Sequence, residues 1–137
     1  MEKFNRLVAL LFGTLYEEFP VPYRLDAAKF LEKVIDQSDE EGAFNFPEYF
    51  ESTVKWLETA GYIWIVNDYT TLGGYEVEVV LSEKGLEALR QVPSSLEGSE
   101  SIGERFASFT KSKTSEALST LISIAISSAI NGGTAPS

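Results

Sequence analysis

The residue types that carry most enzymatic and metal chemistry are missing, because the chain holds neither His nor Cys. Thiolate nucleophiles, imidazole acid/base catalysis, disulfides and His/Cys metal sites are therefore excluded. What remains is carboxylate. The run Asp36, Asp39, Glu40 and Glu41 groups hard oxygen ligands of the kind calcium prefers. Its spacing does not make an EF-hand loop, since Glu41 stands sixth counting from Asp36, where the sharp turn requires glycine. The run reads as a solvated loop between helices, and neither metal nor cofactor is expected. Carboxylate pairs for acid/base work need environments that push their pKa values apart. Glu17/Glu18 and Glu76/Glu78 are the candidates, and nothing in their spacing selects either; Glu76 and Glu78 share one face of a strand, which solvent exposure explains. Gly73 and Gly74 suit a hairpin turn rather than a phosphate cradle. No catalytic residue is assigned, and the chain is expected not to be an enzyme.

Binding chemistry is left. Lys plus Arg number 11 against 21 Asp plus Glu, a net charge of −10, which opposes long-range attraction to nucleic acid or to an anionic membrane. The imbalance is not confined to one end, since acidic residues outnumber basic ones in both halves. A hydrophobic fraction of 44% over 137 residues suits one globular core. Exposed aromatics mark interfaces, and Trp56, Trp64, Tyr62, Tyr69 and Tyr75 are the residues to sort. Strand side chains alternate, so if Ile63 and Ile65 are buried then Trp64 faces out. Trp64 is accordingly the first candidate for a partner surface and Tyr69, in the turn beyond it, the second.

These residues must be positioned by elements that the periodicity outlines. Phe4, Leu7, Val8, Leu11, Leu15 and Phe19 recur at helical spacing and predict an amphipathic first helix, ended by Pro20 and Pro22. Val21–Arg24 suits a short edge strand. A second helix begins near Asp26 with Ala27, Phe30, Leu31 and Val34 on its stripe. A third starts around Asn45–Pro47, buries Phe50, Val54 and Leu57 with Trp56 or Thr53 nearby, and stops at Ala60-Gly61. Tyr62–Val66 and Tyr75–Leu81 form a hairpin, and Ser82 caps a fourth helix that Pro93 closes.

Ser101-Ile102-Gly103-Glu104 matches a capping box and predicts a helix running towards Ile130, either broken near Lys111–Ser115 or gripped on two sides. Leu118, Leu121, Ile122, Ala125 and Ala129 cluster on one side of it, with further apolar residues elsewhere on its circumference, so the helix must be covered. Self-association through those five residues predicts a homodimer; packing back onto the first helix is the alternative. The apolar part is too short for the roughly 20 residues a membrane span needs, and no signal peptide is visible at the amino terminus, so a cytoplasmic protein without membrane contact is expected.

The order helix, short strand, helix, helix, hairpin, helix resembles the winged helix-turn-helix family, at fold level the regulators of the multiple-antibiotic-resistance type. The residues that carry the resemblance are Thr53-Val54-Lys55-Trp56-Leu57-Glu58-Thr59-Ala60-Gly61-Tyr62-Ile63, similar to a recognition helix turning into the wing, and Leu81-Ser82-Glu83-Lys84-Gly85-Leu86-Glu87-Ala88-Leu89, similar to the exit from it. The resemblance implies DNA binding and dimerisation through helices outside the wing. On the third helix it would use Ser52 and Lys55, helped by Arg24, Lys29 and Lys33. The contact positions argue against DNA, because Glu48 and Glu51 accompany them and the turn Asn67–Gly74 holds no cation. The fold class expected is mainly α with a small β-hairpin (α+β): a winged-helix-like domain over 1–92, a linker over 93–103, a C-terminal helical segment over 104–130 and a flexible tail over 131–137. The function expected is a homodimeric protein-interaction or assembly module, with a DNA-binding transcriptional regulator as the alternative.

Overall fold

A computed structural model describes residues 1–94, 98–112 and 118–134, with side chains described through Ser127 in the last stretch and not at Ser112. The fold is mainly α, of α+β type, and among the described residues it has six helices and one three-stranded antiparallel sheet. The elements in order are α1 (Glu2–Glu18), β1 (Tyr23–Asp26), α2 (Ala27–Val34), α3 (Glu40–Thr59), β2 (Ile63–Asp68), β3 (Glu76–Leu81), α4 (Glu83–Arg90), α5 (Ile102–Ser112) and α6 (Leu118–Thr134).

The sheet order is β1-β3-β2, so the segment after Pro22 joins the hairpin as an edge strand, pairing Tyr23 with Val79 and Leu25 with Val77. Alternation along β3 turns Val77, Val79 and Leu81 into the core and leaves Glu76, Glu78 and Val80 on the other face. The hairpin is pinned at its base by Ser82, whose Oγ caps α4 by accepting from the Gly85 N–H at 3.0 Å and donates to the Gly61 carbonyl.

Two helices differ from their expected form. α3 begins at Glu40 instead of near Pro47, because Asp39 accepts from the Gly42 N–H at 2.9 Å and Glu40 and Glu41 fill a first turn where the helix dipole favours acid. The acidic run is thus a cap and a first turn, preceded by an Asx turn in which Asp36 accepts from the Ser38 N–H at 2.9 Å. Pro47 then lies inside the helix on an exposed position.

α1 is not amphipathic in the middle. Leu7 to Gly13 are buried without interruption, all around the helix. The face opposite the sheet is covered by α5, its most extensive neighbour, and by α6. Gly13 lets α5 approach: a Cβ there would lie 2.5 Å from the Phe106 carbonyl oxygen. Phe106 itself lies 6.3 Å, centroid to centroid, from Phe12. One hydrophobic cluster therefore runs from Leu7 through Phe50 and Val79 to Phe109 and Ala125. Ser101, Ile102 and Gly103, read from sequence as the end of a linker, are buried, and the Ile102 N–H donates to the Gln91 carbonyl at 2.8 Å. Of the helix break expected near Lys111–Ser115, Lys111 and Ser112 are still in α5 and residues 113–115 lie outside the described residues, as does the end of the tail at 135–137; α6 itself continues past Ile130 to Thr134.

The capping box forms as its spacing requires. The Glu104 N–H donates to Ser101 Oγ at 3.1 Å and the Ser101 N–H to Glu104 Oε1 at 2.9 Å. The Ser101 N–H and then the Ser101 hydroxyl, both facing the Glu104 carboxyl, hold it below its ordinary value of 4.5. A depressed carboxylate stabilises the fold fully above its unfolded pKa and loses that contribution as pH falls through the folded one. Thermal melts between pH 6 and 3 should show Glu104→Gln, which keeps the box but cannot titrate, with a shallower acid decline than the parent; parallel curves would contradict this.

Candidate functional site

The side of the sheet turned away from the core carries the residues singled out for binding. Ile63 is buried and Ile65 half-buried, so Trp64 between them faces out and is 56% exposed. It stands across from Val80 in the β2–β3 register. A bulge between Ile65 and Asn67 shifts the pairing by one residue, which brings Asn67 opposite Glu78. Asn67 Nδ2 donates to Glu78 Oε1 at 2.6 Å. Arg24, on β1, faces Glu78 from the other side of β3 but pairs its guanidinium with Glu76. That guanidinium also lies 3.8 Å from the ring centroid of Tyr69, which is 38% exposed. The outward face therefore runs from an apolar end at Trp64 and Val80 to a charged end at Arg24, Glu76 and Tyr69.

The α3 residues named for DNA contact are exposed, but their setting is not cationic. Lys55 pairs with Glu51 at 3.1 Å one turn earlier, and Ser52 lies beside them on α3. Asp68, held below the usual carboxylate range first by the Thr70 hydroxyl and then by its N–H, takes a further small push from Lys55. Glu51, Asp68 and Glu58 all act on Tyr75, whose phenol is pushed up first by burial and then by those three charges. Where α3 meets the hairpin, acid predominates. Arg6 is likewise within 3.7 Å of Glu2, and Lys111 within 3.2 Å of Glu17. Among the described residues no group of three acidic side chains is arranged to hold a metal ion, and no helix is long and apolar enough to cross a membrane.

An open cleft of about 590 Å³ lies where α1 meets α2 and the loop after it, lined by Glu2, Lys3, Arg6, Lys33, Asp36 and Asp39 among others. Its Asp36 carboxyl is lowered by the Ser38 N–H and hydroxyl. That is the wrong direction for a general base or acid working near neutral pH.

The residues expected to join two copies are used within one. Leu121, Ile122 and Ala125 are 2%, 4% and 0% exposed, on a helix that packs against α1 and α4. Leu118 is half-buried, and the Ala129 side chain lies outside the described ones. Among the described side chains of α6, Ser119, Thr120, Ser123 and Ser127 are the exposed ones, and all four are polar. At Leu121, Ile122 and Ala125 the expected dimer surface is buried within the one chain, on a helix that α1 and α4 cover.

Sequence reasoning did not find the pairing of this chain's cations with its own rings. Lys3 lies over Tyr49 at 4.3 Å and Lys84 over Tyr62 at 4.7 Å, besides Arg24 over Tyr69. The partners are 22 or more positions apart in each case, so no local spacing announces them. Of the two alternatives left open on α3, Thr53 is the buried one at 4%, its hydroxyl donating to the Tyr49 carbonyl, while Trp56 is 45% exposed with its ring set edge-on against Phe4. No family model, curated protein or solved structure matches this chain.

Proposed function

We propose that this chain is a non-enzymatic protein-interaction module built on a winged-helix-like frame. The frame is supported by the succession α2, α3, β2, β3 and by β1 closing the sheet beside the hairpin. The observation that carries the interaction reading is Trp64, an indole more than half exposed on the edge strand β2, on the side of the sheet turned away from the core. An indole in that position gains much from burial against a partner, and tryptophan is enriched among the residues that dominate interfaces. The alternative, a DNA-binding regulator, needs free cations on α3 and the hairpin, whereas Lys55 and Arg24 are engaged by Glu51 and Glu76.

Replacing Trp64 by a photo-crosslinking aromatic residue in the producing cells should give a discrete adduct with one protein, and the same label at exposed Lys29 should not. The Trp64→Ala chain should melt within about 0.5 kcal/mol of the parent, as an exposed substitution does. Duplex DNA titrated at about 50 and about 200 mM salt should show no salt-sensitive binding. Salt-sensitive binding to duplex DNA, or a position-64 label that reacts with no protein, would overturn the reading.

A further inference from the structure

We infer that Trp64 and Glu78 together receive a basic side chain, arginine or lysine, supplied by the partner protein; this rests on the interaction reading above. The same sheet face displays the chemistry already occupied. At its charged end the Arg24 guanidinium lies 3.8 Å from the Tyr69 ring centroid with its charge on Glu76, so one cation is held between a ring and a carboxylate. Tyr69 and Glu76 are joined across the hairpin, the Tyr69 N–H donating to the Glu76 carbonyl at 2.8 Å.

A ring and a carboxylate recur at the apolar end. Trp64 faces Val80, and Glu78 is the next residue on the same face of β3, a diagonal separation within reach of long side chains. Three tyrosines have a lysine or arginine of this chain over them, whereas among the described residues no cation lies over Trp64. Tryptophan is the strongest cation–π acceptor of the aromatic side chains. Glu78 is bonded by the neutral amide of Asn67, and Arg24, directly across from it, is committed to Glu76.

Charge complementarity selects the occupant. Two carboxylates share this face with one guanidinium, and the whole chain carries −10, so a second copy brings repulsion where a basic partner brings attraction. Val80 and Val66, half-buried and 45% exposed, give an apolar neighbour to the cation's alkyl stem.

The test uses the full chain and a labelled ten-residue peptide alternating arginine and valine, with the same peptide carrying neutral citrulline for arginine as its control. Fluorescence anisotropy should show the arginine peptide binding roughly tenfold tighter than the citrulline one, with Trp64→Leu and Glu78→Gln each losing about tenfold. In a Trp56→Phe chain, whose remaining indole is Trp64, the arginine peptide should change the emission saturably. Equal binding of the two peptides, or unchanged binding by Trp64→Leu, overturns the inference. A concentration-dependent dimer in sedimentation that Trp64→Leu abolishes would also overturn it, assigning the face to a second copy. Failure of the peptide with a position-64 crosslink intact removes the basic partner but keeps the interaction module; failure of both removes both.

Discussion

Gly13→Ala should lower stability by about 3 kcal/mol or more, in the range reserved for overpacking a core that cannot yield. The added Cβ would meet the backbone of α5, 2.5 Å from the Phe106 oxygen and 2.9 Å from the Ala107 nitrogen, and backbone cannot step aside as a side-chain tip can. α5 would have to shift along its whole contact with α1, taking Phe106 away from Phe12. The sign is diagnostic. At an exposed helical position alanine is preferred to glycine by about 1 kcal/mol, so a chain in which α1 were merely amphipathic would gain stability. Urea denaturation of the two proteins distinguishes the cases: a raised midpoint would mean that α5 does not lie against Gly13. Gly103→Ala provides a graded companion, since its Cβ would meet the ring of half-buried Tyr16, which can rotate, at the loss of the Ser101–Tyr16 hydroxyl contact. It should be the milder of the two.

Phe50→Ala should cost about 3–5 kcal/mol. The ring is fully buried and touches three others, Phe30 at 5.3 Å, Phe46 at 5.8 Å and Tyr75 at 6.1 Å between centroids, so α2, α3 and the start of β3 meet on it. Removing it leaves a cavity ringed by large planar groups, which collapse poorly because each is held by its own helix or strand. Phe50→Leu should recover more than half of the loss, and an equal loss for both would point to strain instead of cavity formation. Chemical denaturation with a shared slope is the measurement, since it separates a changed stability from a changed unfolded state.

The two sites lie in different parts of one core. Phe50 joins elements that the sequence order already grouped, while Gly13 joins the amino-terminal helix to a segment about ninety residues later. That difference explains what each level of description could reach. The sequence determined whatever depends on neighbours in the chain. Capping by Ser82 and by Ser101 with Glu104, the stop at Ala60-Gly61, and the pleat that sets Trp64 opposite in direction to Ile63 follow from spacings of one to four residues. The exclusion of His and Cys chemistry likewise needs no coordinates.

Tertiary structure decided what depends on residues far apart. Periodicity gave α1 one apolar stripe and left Leu10 and Phe12 off it without a cover; α5 supplies that cover, and it comes close only because Gly13 has no Cβ. The apolar excess of α6 showed that a cover was required without showing which surface supplied it, and the cover is α1 and α4 of the same chain. Charge behaves in the same way. Composition counts 11 cations, but their availability to a partner is fixed by pairings such as Arg24 with Glu76 and Tyr69, separated by 52 and 45 positions, and these exist only once β1 lies beside β3.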